Sequence, residues 1–518
     1  MGNVSSIPAG FTMDFILHAG TGITQAMFDW GATLRGRYGK DMNFKARDLA
    51  LKYLGYSTDN GAYYYYTTEK GKNYQQTMVD IADYASKERL PYRWMLLDSW
   101  WYYKGKDDGV TKWLATPDVF PSGMDFVFNA TGWPIQGHNR FWSSETTYAK
   151  QNGGNFDFLF SDGGDKGYGL PLTQEFWDFL MHSSKQWGLT TYEQDWLYNE
   201  FNGVEQLNTN ITLARTWLMQ MASAALKNGI SIQYCMTNPR HVMQSIELPA
   251  VTQARASQDY GHSNARTTQW QVGVTGIFMH AVGIAPTKDN YWSTDVQPGS
   301  TKYPSDVEHF NRLQAAVSTI SSGPVAPSDK IGASNVELIM MSCTADGTLL
   351  QPDRPATNID ATFVARAGLG DGPDGELQAA PSVVAGMQYT QVLAAALRKD
   401  YGLALTELGY AAGDMLAVVE ANSTTKVTLM SGSDTLTAKA CDEWDFQLYS
   451  IAPVLPGSSY AVIGEASKWV PVNNARFSDI ATVGPMVSVS LRGTPGETVS
   501  IAFWSQAAGL ETVSCTFG

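Results

Sequence analysis

Residues 188–201 read GLTTYEQDWLYNEF and place two acids directly behind a run of β-prone residues. The run LTTY has the composition of a strand that is built for a core. It leads without a break into Glu193, Asp195 and Trp196. Acids and an aromatic residue at the end of such a strand are typical of a solvated loop tip or of the mouth of an active site. The rest of the chain decides between these two interpretations.

The pattern of a strand followed by a helix repeats between about residues 50 and 330. We predict eight strands, at residues 51–57, 93–98, 133–138, 189–195, 230–236, 250–257, 275–282 and 317–326. Amphipathic stretches lie between them, and two of these, at 173–188 and 212–229, end in Gly, which accepts the left-handed conformation that closes a helix. Eight strands alternating with helices are typical of an α/β fold of the (β/α)8 TIM barrel type. The alternative is a doubly wound open sheet, but no G-x-G-x-x-G follows the first strand.

The sequence changes character after about residue 375. Short alternating runs separated by Gly, Ser, Asn and Pro replace the strand–helix pattern and predict an antiparallel β-domain. The segment GLGDGPDGE at 368–376 has the composition of a linker. We therefore predict a catalytic barrel over residues 1–375, followed by a C-terminal antiparallel β-sandwich over residues 376–518.

Composition and charge exclude several classes of function. The chain has 518 residues and a formal charge of −14, without runs of basic residues, which argues against a nucleic-acid partner. Its 4 cysteines are widely spread and its 7 histidines lack a paired motif, so we expect neither a metal nor a cofactor. The 16 Trp and 25 Tyr are typical of a large aromatic core and also of a sugar-binding cleft.

The sequence predicts a soluble protein. No apolar run approaches the roughly 20 residues that a membrane span needs, and the stretch MGNVSSIPAG lacks the apolar region of a signal peptide. We expect a cytoplasmic protein or, if the chain is trimmed at its N-terminus, a secretory one. The compartment and the oligomeric state stay open.

Polar side chains collect where the predicted strands end, which is where barrel enzymes carry their catalytic groups. The candidates, in chain order, are Asp59, Asp98, Trp100, Trp101, His138, Arg140, Glu193, Asp195, Trp196, Cys235, Asn238, Arg255, Asp259, Asp289 and Trp292. A single acid at such a position is typical of a solvated loop. Several at the same relative position on consecutive strands favour an active site.

Two of these acids suit glycoside hydrolysis, which needs two carboxyl groups flanking one bond. One is ionised and attacks or stabilises the sugar cation, and the other is protonated and releases the leaving oxygen. Asp195 and Asp259 are separated by about two βα units, which predicts positions on the fourth and sixth strands. Arg255 lies just before Asp259 and favours the ionised form of whichever acid it faces. The sequence does not tell which acid that is.

Five segments resemble, in the correct order, motifs of the α-galactosidase and raffinose-synthase group of glycosidases, and most closely its raffinose-synthase-like branch. They are LDSWW (97–101), EQDW (193–196), ARASQDY (254–260), SSGPVAPSDKIG (321–332) and the pair WDFQLYSIAPV (444–454) and SYAVIGEASKW (459–469). The resemblance runs from about His18 to the C-terminus. It implies a retaining double displacement with Asp195 as the nucleophile and Asp259 as the general acid/base. Hydrolysis, or transfer to an acceptor sugar, would complete the reaction.

The resemblance implies an oligosaccharide or glycoconjugate substrate. It assigns the other candidates to sugar binding, with hydroxyls held by Asp59, Asp98, Asn238 and Arg255 and rings stacked on Trp100, Trp101, Trp196 and Trp292. Because a transglycosylase uses the same residues, it stays an alternative. A non-catalytic carbohydrate-binding barrel is a second alternative, although both Asp195 and Asp259 are present.

The chain departs from the group's pattern in three places. Glu193 stands where the group has a lysine, and Leu97 stands where its strand-2 turn has an acid. A glutamate accepts hydrogen bonds where a lysine donates them, so the hydroxyls that the pocket binds must change, and galactose is not implied. The group's large N-terminal β-sandwich has no counterpart, so we expect either a fragment or a cleft that is closed differently.

Overall fold

The computed structural model describes residues 4, 6–161, 166–261, 265–299, 305–421, 426–442, 445–484 and 486–518. Within the helix Ala265–Ala281, side chains are described from residue 272 onward. The predicted segment 444–454 therefore lies partly outside the described residues.

A curled sheet of seven parallel strands, called here the central sheet, organises the first part of the chain. Its strands are, in spatial order, Tyr56–Ser57, Met95–Leu97, Ile135–Asn139, Leu189–Gln194, Ser231–Tyr234, Val251–Arg255 and Ala285–Thr287. Spatial order follows chain order, as the strand–helix repeat predicts. The second to sixth predicted strands are confirmed, with boundaries shifted by a few residues, whereas the first, predicted at 51–57, is confirmed only at Tyr56–Ser57.

Helices connect and cover these strands. Those of the chain's first part are Ile23–Tyr38, Phe44–Arg47, Tyr74–Glu88, Gly123–Thr131, Gln174–Lys185, Leu197–Gly203, Glu205–Thr209, Leu213–Lys227, Pro239–Gln244, Ala265–Ala281, Asn311–Ile320, Val336–Met340 and Asp360–Arg366. The two helices predicted from amphipathic stretches are confirmed at Gln174–Lys185 and Leu213–Lys227. Each is followed by a glycine with positive φ, Gly188 at 91° and Gly229 at 61°, which turns the chain back toward the sheet.

The predicted seventh strand, at residues 275–282, is wrong. These residues belong to the helix Ala265–Ala281, and the strand follows at Ala285–Thr287. The helix packs between the central sheet and the helix Ile23–Tyr38, so apolar residues are needed on more than one side. Periodicity alone does not separate such a buried helix from a buried strand.

The predicted eighth strand, at 317–326, begins inside the helix Asn311–Ile320 and is wrong over that part. Beyond the helix, the backbone N–H groups of Gly55 and Ser57 donate to the carbonyls of Val325 and Pro327, both at 3.0 Å. These bonds join residues 325–327 to the first strand. Closure into an eight-stranded barrel stays a prediction.

A second sheet, called here the mouth sheet, is inserted after the second and third central strands. Its strands are, in spatial order, Tyr102–Lys104, Val110–Ala115, Trp142–Ser143, Tyr168–Pro171 and Phe158–Ser161. Because its segments leave the carboxyl ends of central strands, it lies at that end of the central sheet, which we call the mouth.

The chain's last part is built of antiparallel strands, as predicted. They are Glu376–Val384, Met387–Ala395, Tyr401–Ala404, Met415–Glu420, Val427–Ser431, Thr435–Ala438, Phe446–Pro453, Tyr460–Gly464, Phe477–Val483, Met486–Leu491, Thr498–Ser505 and Gly509–Thr516. The strand Thr357–Asn358 also pairs with Glu376–Val384, so this sheet begins before the predicted boundary at residue 375. The domain boundary and the two-layered sandwich stay predictions.

No helix among the described residues combines the length and the apolar character that crossing a membrane requires. The four cysteines, Cys235, Cys343, Cys441 and Cys515, are free thiols.

Candidate active site

The register of the central strands decides which side chains reach the mouth. Side chains two residues apart lie on the same face of a strand. Five strands carry such a polar pair at their carboxyl ends: Gln136 and His138, Glu193 and Asp195, Gln233 and Cys235, Gln253 and Arg255, and Thr287 and Asp289. Gln136 shows that they share one face, because its Nε2 donates to Glu193 Oε2 at 3.0 Å and to Gln233 Oε1 at 2.8 Å.

His138 holds two carboxylates on one side of the mouth. Its Nε2 lies 2.9 Å from Asp195 Oδ2 and 3.9 Å from Asp98 Oδ2. The other ring nitrogen, Nδ1, lies 3.1 Å from the hydroxyl of Tyr102, the first residue of the mouth sheet. Both ring nitrogens thus have partners, so the orientation of the imidazole is fixed.

This arrangement keeps Asp195 ionised. Burial opposes its charge, but the hydrogen bond and positive charge of His138 outweigh burial and lower the pKa of Asp195. The backbone N–H of Trp196 donates to Asp195 Oδ1 at 2.7 Å, and the Cys235 thiol donates a further bond. Burial also opposes the charge of His138, yet Asp98 and Asp195 raise its pKa. The pair is therefore stabilised as a carboxylate and an imidazolium.

Glu193 lies one layer below Asp195 and is almost completely buried. Burial raises the pKa of Glu193 to about 7, although the charges of His138 and Arg255 act in the opposite direction. Near neutral pH this residue is therefore divided between a carboxylate and a carboxylic acid, which can donate a hydrogen bond.

Arg255 organises the other side of the mouth by binding three carboxylates. Its Nη2 lies 3.3 Å from Asp59 Oδ2 and 3.2 Å from Asp289 Oδ1, and its Nη1 lies 3.3 Å from Asp259 Oδ1. Asp289 also accepts hydrogen bonds from the backbone N–H groups of Tyr260, at 2.6 Å, and Asn290, at 2.9 Å. One guanidinium therefore holds the acids that follow three different central strands.

The acids around Arg255 differ in exposure. The side chain of Asp259 is 61% exposed, whereas those of Asp59 and Asp289 are 8% and 6% exposed. Partial desolvation raises the pKa of Asp259, Arg255 lowers it, and the carboxylates of Asp289 and Asp195 raise it further. Burial and the neighbouring acids also raise the pKa of Asp59. Asp259 is thus an acid at the solvent edge of the mouth whose pKa is raised above its ordinary value.

Arg140 and Trp196 form a stacked pair beside Asp195. The guanidinium of Arg140 lies 5.0 Å from the centroid of the Trp196 ring and 3.4 Å from Asp108 Oδ2. Trp196 is half-buried, and its φ of 56° places it in the left-handed region that bulky residues rarely adopt. This strain is stored directly beside Asp195, as is common at functional sites.

Three predicted stacking residues are packed beneath the mouth instead of facing it. Trp100 and Trp101 are 1% exposed and Trp292 is 0% exposed. Trp100 packs among tyrosines, and Trp101 packs against the indoles of Trp113, in the mouth sheet, and Trp187, in the turn after the helix Gln174–Lys185. This burial contradicts the prediction that these three residues stack on sugar rings.

Asn238 is the first residue before the helix Pro239–Gln244, and its backbone N–H donates to His241 Nδ1 at 3.0 Å. It starts a helix at the edge of the mouth, and its predicted contact with a sugar hydroxyl stays a prediction. Cys235 is buried, and its contact is with Asp195.

Sequence reasoning missed two residues that shape this site. Tyr102, which fixes His138, comes from the mouth sheet, whose short strands gave no clear pattern. Gln136, which fixes Glu193, could have been found because it stands two residues before His138 on the same strand face. Among the described residues, no group of three His, Cys, Asp or Glu side chains is arranged to hold a metal ion.

Comparisons with known proteins show the fold. No protein-family model and no curated protein matches the chain. An α-galactosidase from Lactobacillus brevis aligns at 11% identity with a TM-score of 0.53, covering 83% of this chain and 58% of that one. An α-galactosidase from Geobacillus stearothermophilus in complex with stachyose aligns at 10% identity with a TM-score of 0.52, covering 83% and 59%. The chain therefore shares the fold of these proteins and spans less than two thirds of their length.

Proposed function

We propose that the protein is a retaining α-glycoside hydrolase in which Asp195 is the nucleophile and Asp259 is the general acid/base. The observation that carries the proposal is that one mouth holds two carboxyl groups in opposite surroundings, Asp195 buried against His138 and Asp259 exposed beside Arg255. His138 lowers the pKa of Asp195, while partial desolvation and neighbouring acids raise the pKa of Asp259. Two carboxyl groups whose environments separate their pKa values in this way are the pair that glycoside hydrolysis requires.

In the first step, Asp195 attacks the anomeric carbon while Asp259 gives its proton to the departing oxygen. A covalent glycosyl-enzyme forms, and the aglycone leaves. In the second step, Asp259 takes a proton from water, which attacks the same carbon and releases Asp195. His138 is also held by Asp98, and Arg255 by Asp59 and Asp289, so neither depends on the reacting pair alone for its position.

The exposure of the two acids suits these roles. Asp195 is 8% exposed and held from three directions, as a nucleophile that must point at one atom requires. Asp259 lies at the solvent edge, where the aglycone departs and water enters. Retention predicts that the two carboxyl groups stand about 5–5.5 Å apart when substrate is bound.

We infer an oligosaccharide or glycoconjugate as the substrate, with one neutral sugar ring in the pocket bounded by Asp59, Asp98, Glu193 and Asp289. These four acids are buried at the mouth, so a ring that carried its own negative charge would be repelled. The proposal includes a closed barrel in which residues 325–327 form the eighth strand. The stachyose bound to the structural neighbour supports a sugar ligand for the shared fold.

The test is hydrolysis of a panel of p-nitrophenyl α-glycosides by the wild type and by Asp195→Asn. We expect one sugar of the panel to be released by the wild type, and turnover in the variant to fall by at least about 10³-fold with an unchanged unfolding temperature. The matched control is Asp178→Asn, which changes an exposed acid paired with Lys227 on the protein's outer surface. Full activity in Asp195→Asn would show that the nucleophile is another residue.

The anomeric configuration of the first product, followed by proton NMR, tests the retaining mechanism separately. We expect the α-anomer to appear first, and the β-anomer first would show inversion. Repeating the reaction with an added acceptor sugar separates hydrolysis from transfer. Release that depends on the acceptor would identify a transglycosylase.

A further inference from the structure

Two neighbouring tyrosines, Tyr65 and Tyr66, stand exposed at the edge of the mouth. Their side chains are 40% and 50% exposed, and their φ angles are 47° and 65°. Left-handed backbone is unfavourable for bulky residues and persists where the surrounding structure enforces it, commonly at ligand sites. The two rings lie 5.0 Å apart and nearly perpendicular to each other. They present aromatic surface to solvent, which is the surface that binds the apolar face of a sugar ring.

Lys104, at the end of the first strand of the mouth sheet, lies against both tyrosines. Its Nζ is 4.8 Å from the Tyr65 ring centroid, 6.0 Å from that of Tyr66 and 3.4 Å from the Tyr65 hydroxyl. In the described part of the chain, no carboxylate lies within ion-pair distance of Lys104. Its ammonium is thus held in place by aromatic rings and is free to bind an anion.

Arg140 adds a second cation at this edge. Its single carboxylate partner among the described residues is Asp108, at 3.4 Å, and its buried Nε has no hydrogen-bond partner there. Burial lowers the pKa of Lys104 most, and the charge of Arg140 lowers it further. The two cations are therefore close enough to repel each other. Among the described residues, Asp108 is thus the one carboxylate within ion-pair distance of either cation, and Asp98 acts on both from further away.

This edge adjoins the acids of the proposed active site. Arg140 follows the strand that carries His138, and the charges of Asp98 and Asp195 raise the pKa of Arg140 against the effect of burial. The cationic edge is therefore next to the acids of the mouth.

We propose that Tyr65, Tyr66, Lys104 and Arg140 form a subsite for a second ring of the proposed substrate, and that this ring carries a sulfate, phosphate or carboxylate group. The ring would lie on the tyrosines, and its anionic group would bind Lys104 and Arg140. The proposal rests on the proposed function for its place in the reaction, but the binding of an anionic sugar does not require turnover.

The test is isothermal titration with glucose 6-sulfate, glucose and sodium sulfate at low and high salt. We expect glucose 6-sulfate to bind at least about tenfold more tightly than either of the other two at low salt, because the ring and the anion are bound together. The difference should shrink in 0.5 M NaCl. Lys104→Met keeps most of the side chain without its charge and should lose about tenfold for glucose 6-sulfate. Lys112→Met, an exposed lysine on the next strand of the mouth sheet, should lose nothing.

A second variant tests the aromatic platform. Tyr66→Asn keeps a residue type that accepts left-handed backbone and removes the ring, so it should weaken glucose 6-sulfate binding and leave sodium sulfate unchanged. Equal binding of glucose and glucose 6-sulfate would overturn the proposal, as would equal effects of Lys104→Met and Lys112→Met. Equal binding of sodium sulfate and glucose 6-sulfate would reduce the site to a simple anion site and overturn it too.

These results are separable from the proposed function. A protein that cleaves none of the aryl glycosides but binds glucose 6-sulfate through Lys104 would refute the hydrolase and leave the anionic-sugar site standing. A protein that cleaves an aryl glycoside and binds glucose and glucose 6-sulfate equally would retain the hydrolase and lose this subsite.

Discussion

Replacing His138 tests whether this residue keeps Asp195 ionised. His138 is 2% exposed, and its Nε2 lies 2.9 Å from Asp195 Oδ2. His138→Phe removes both the hydrogen bond and the positive charge, while His138→Gln keeps a donor without the charge. In both variants burial still raises the pKa of Asp195, but His138 no longer lowers it. On acidification, Asp195 should therefore become protonated at a higher pH than in the wild type.

The size of the effect follows from the contact. A hydrogen bond to a charged group contributes about 1.5–3 kcal/mol, and one pKa unit corresponds to about 1.4 kcal/mol. The pKa of Asp195 should therefore rise by about 1–2 units in His138→Phe, and by less in His138→Gln. Since Asp195 must be ionised to attack, the acid limb of kcat/KM should move upward in pH by the same amount.

The assay is the pH dependence of kcat/KM between about pH 3 and pH 9 on the aryl glycoside that the wild type cleaves. The matched control is His182→Gln, an exposed histidine on the helix Gln174–Lys185, which should leave the profile unchanged. Identical acid limbs in the wild type and His138→Phe would refute the role of His138 in holding Asp195 ionised.

Two further predictions concern stability. Burial raises the pKa of Glu193 to about 7 from an ordinary 4.5, so folding loses stability as the pH rises through that window, by up to about 3 kcal/mol at pH 8. Relative to the wild type, Glu193→Gln should therefore raise the unfolding temperature more at pH 8 than at pH 5. An equal change at both pH values would show that the ionisation of Glu193 is not the cause. Arg476 is 0% exposed and bonds Glu465 and Glu497, each at 2.6 Å. Arg476→Met should lower the free energy of unfolding, measured with a chemical denaturant, by about 3–5 kcal/mol. Arg398→Met changes a side chain that is 78% exposed and should lower it by less than about 1 kcal/mol. Similar losses in the two variants would contradict this prediction.

Local patterns in the sequence were sufficient for the order of most strands and for the positions of the candidate acids. Strand alternation and strand ends are local properties, so Asp98, Asp195 and Asp259 could be assigned to strand ends before any fold was known. The same reasoning failed at residues 275–282, because a helix buried on several sides has the composition of a buried strand. It also missed the mouth sheet, whose strands are short and irregular.

Only the tertiary structure decided how the acids are paired. The sequence placed Arg255 near Asp259, but curling of the sheet brings it equally to Asp59 and Asp289, which are distant in the chain. It likewise places His138 against Asp195, on a neighbouring strand. Charges and burial at these contacts depend on which strands are neighbours and on how the sheet curls. Those properties belong to the whole chain, so the sequence determined which groups reach the mouth, and the fold determined the ionisation that each one favours there.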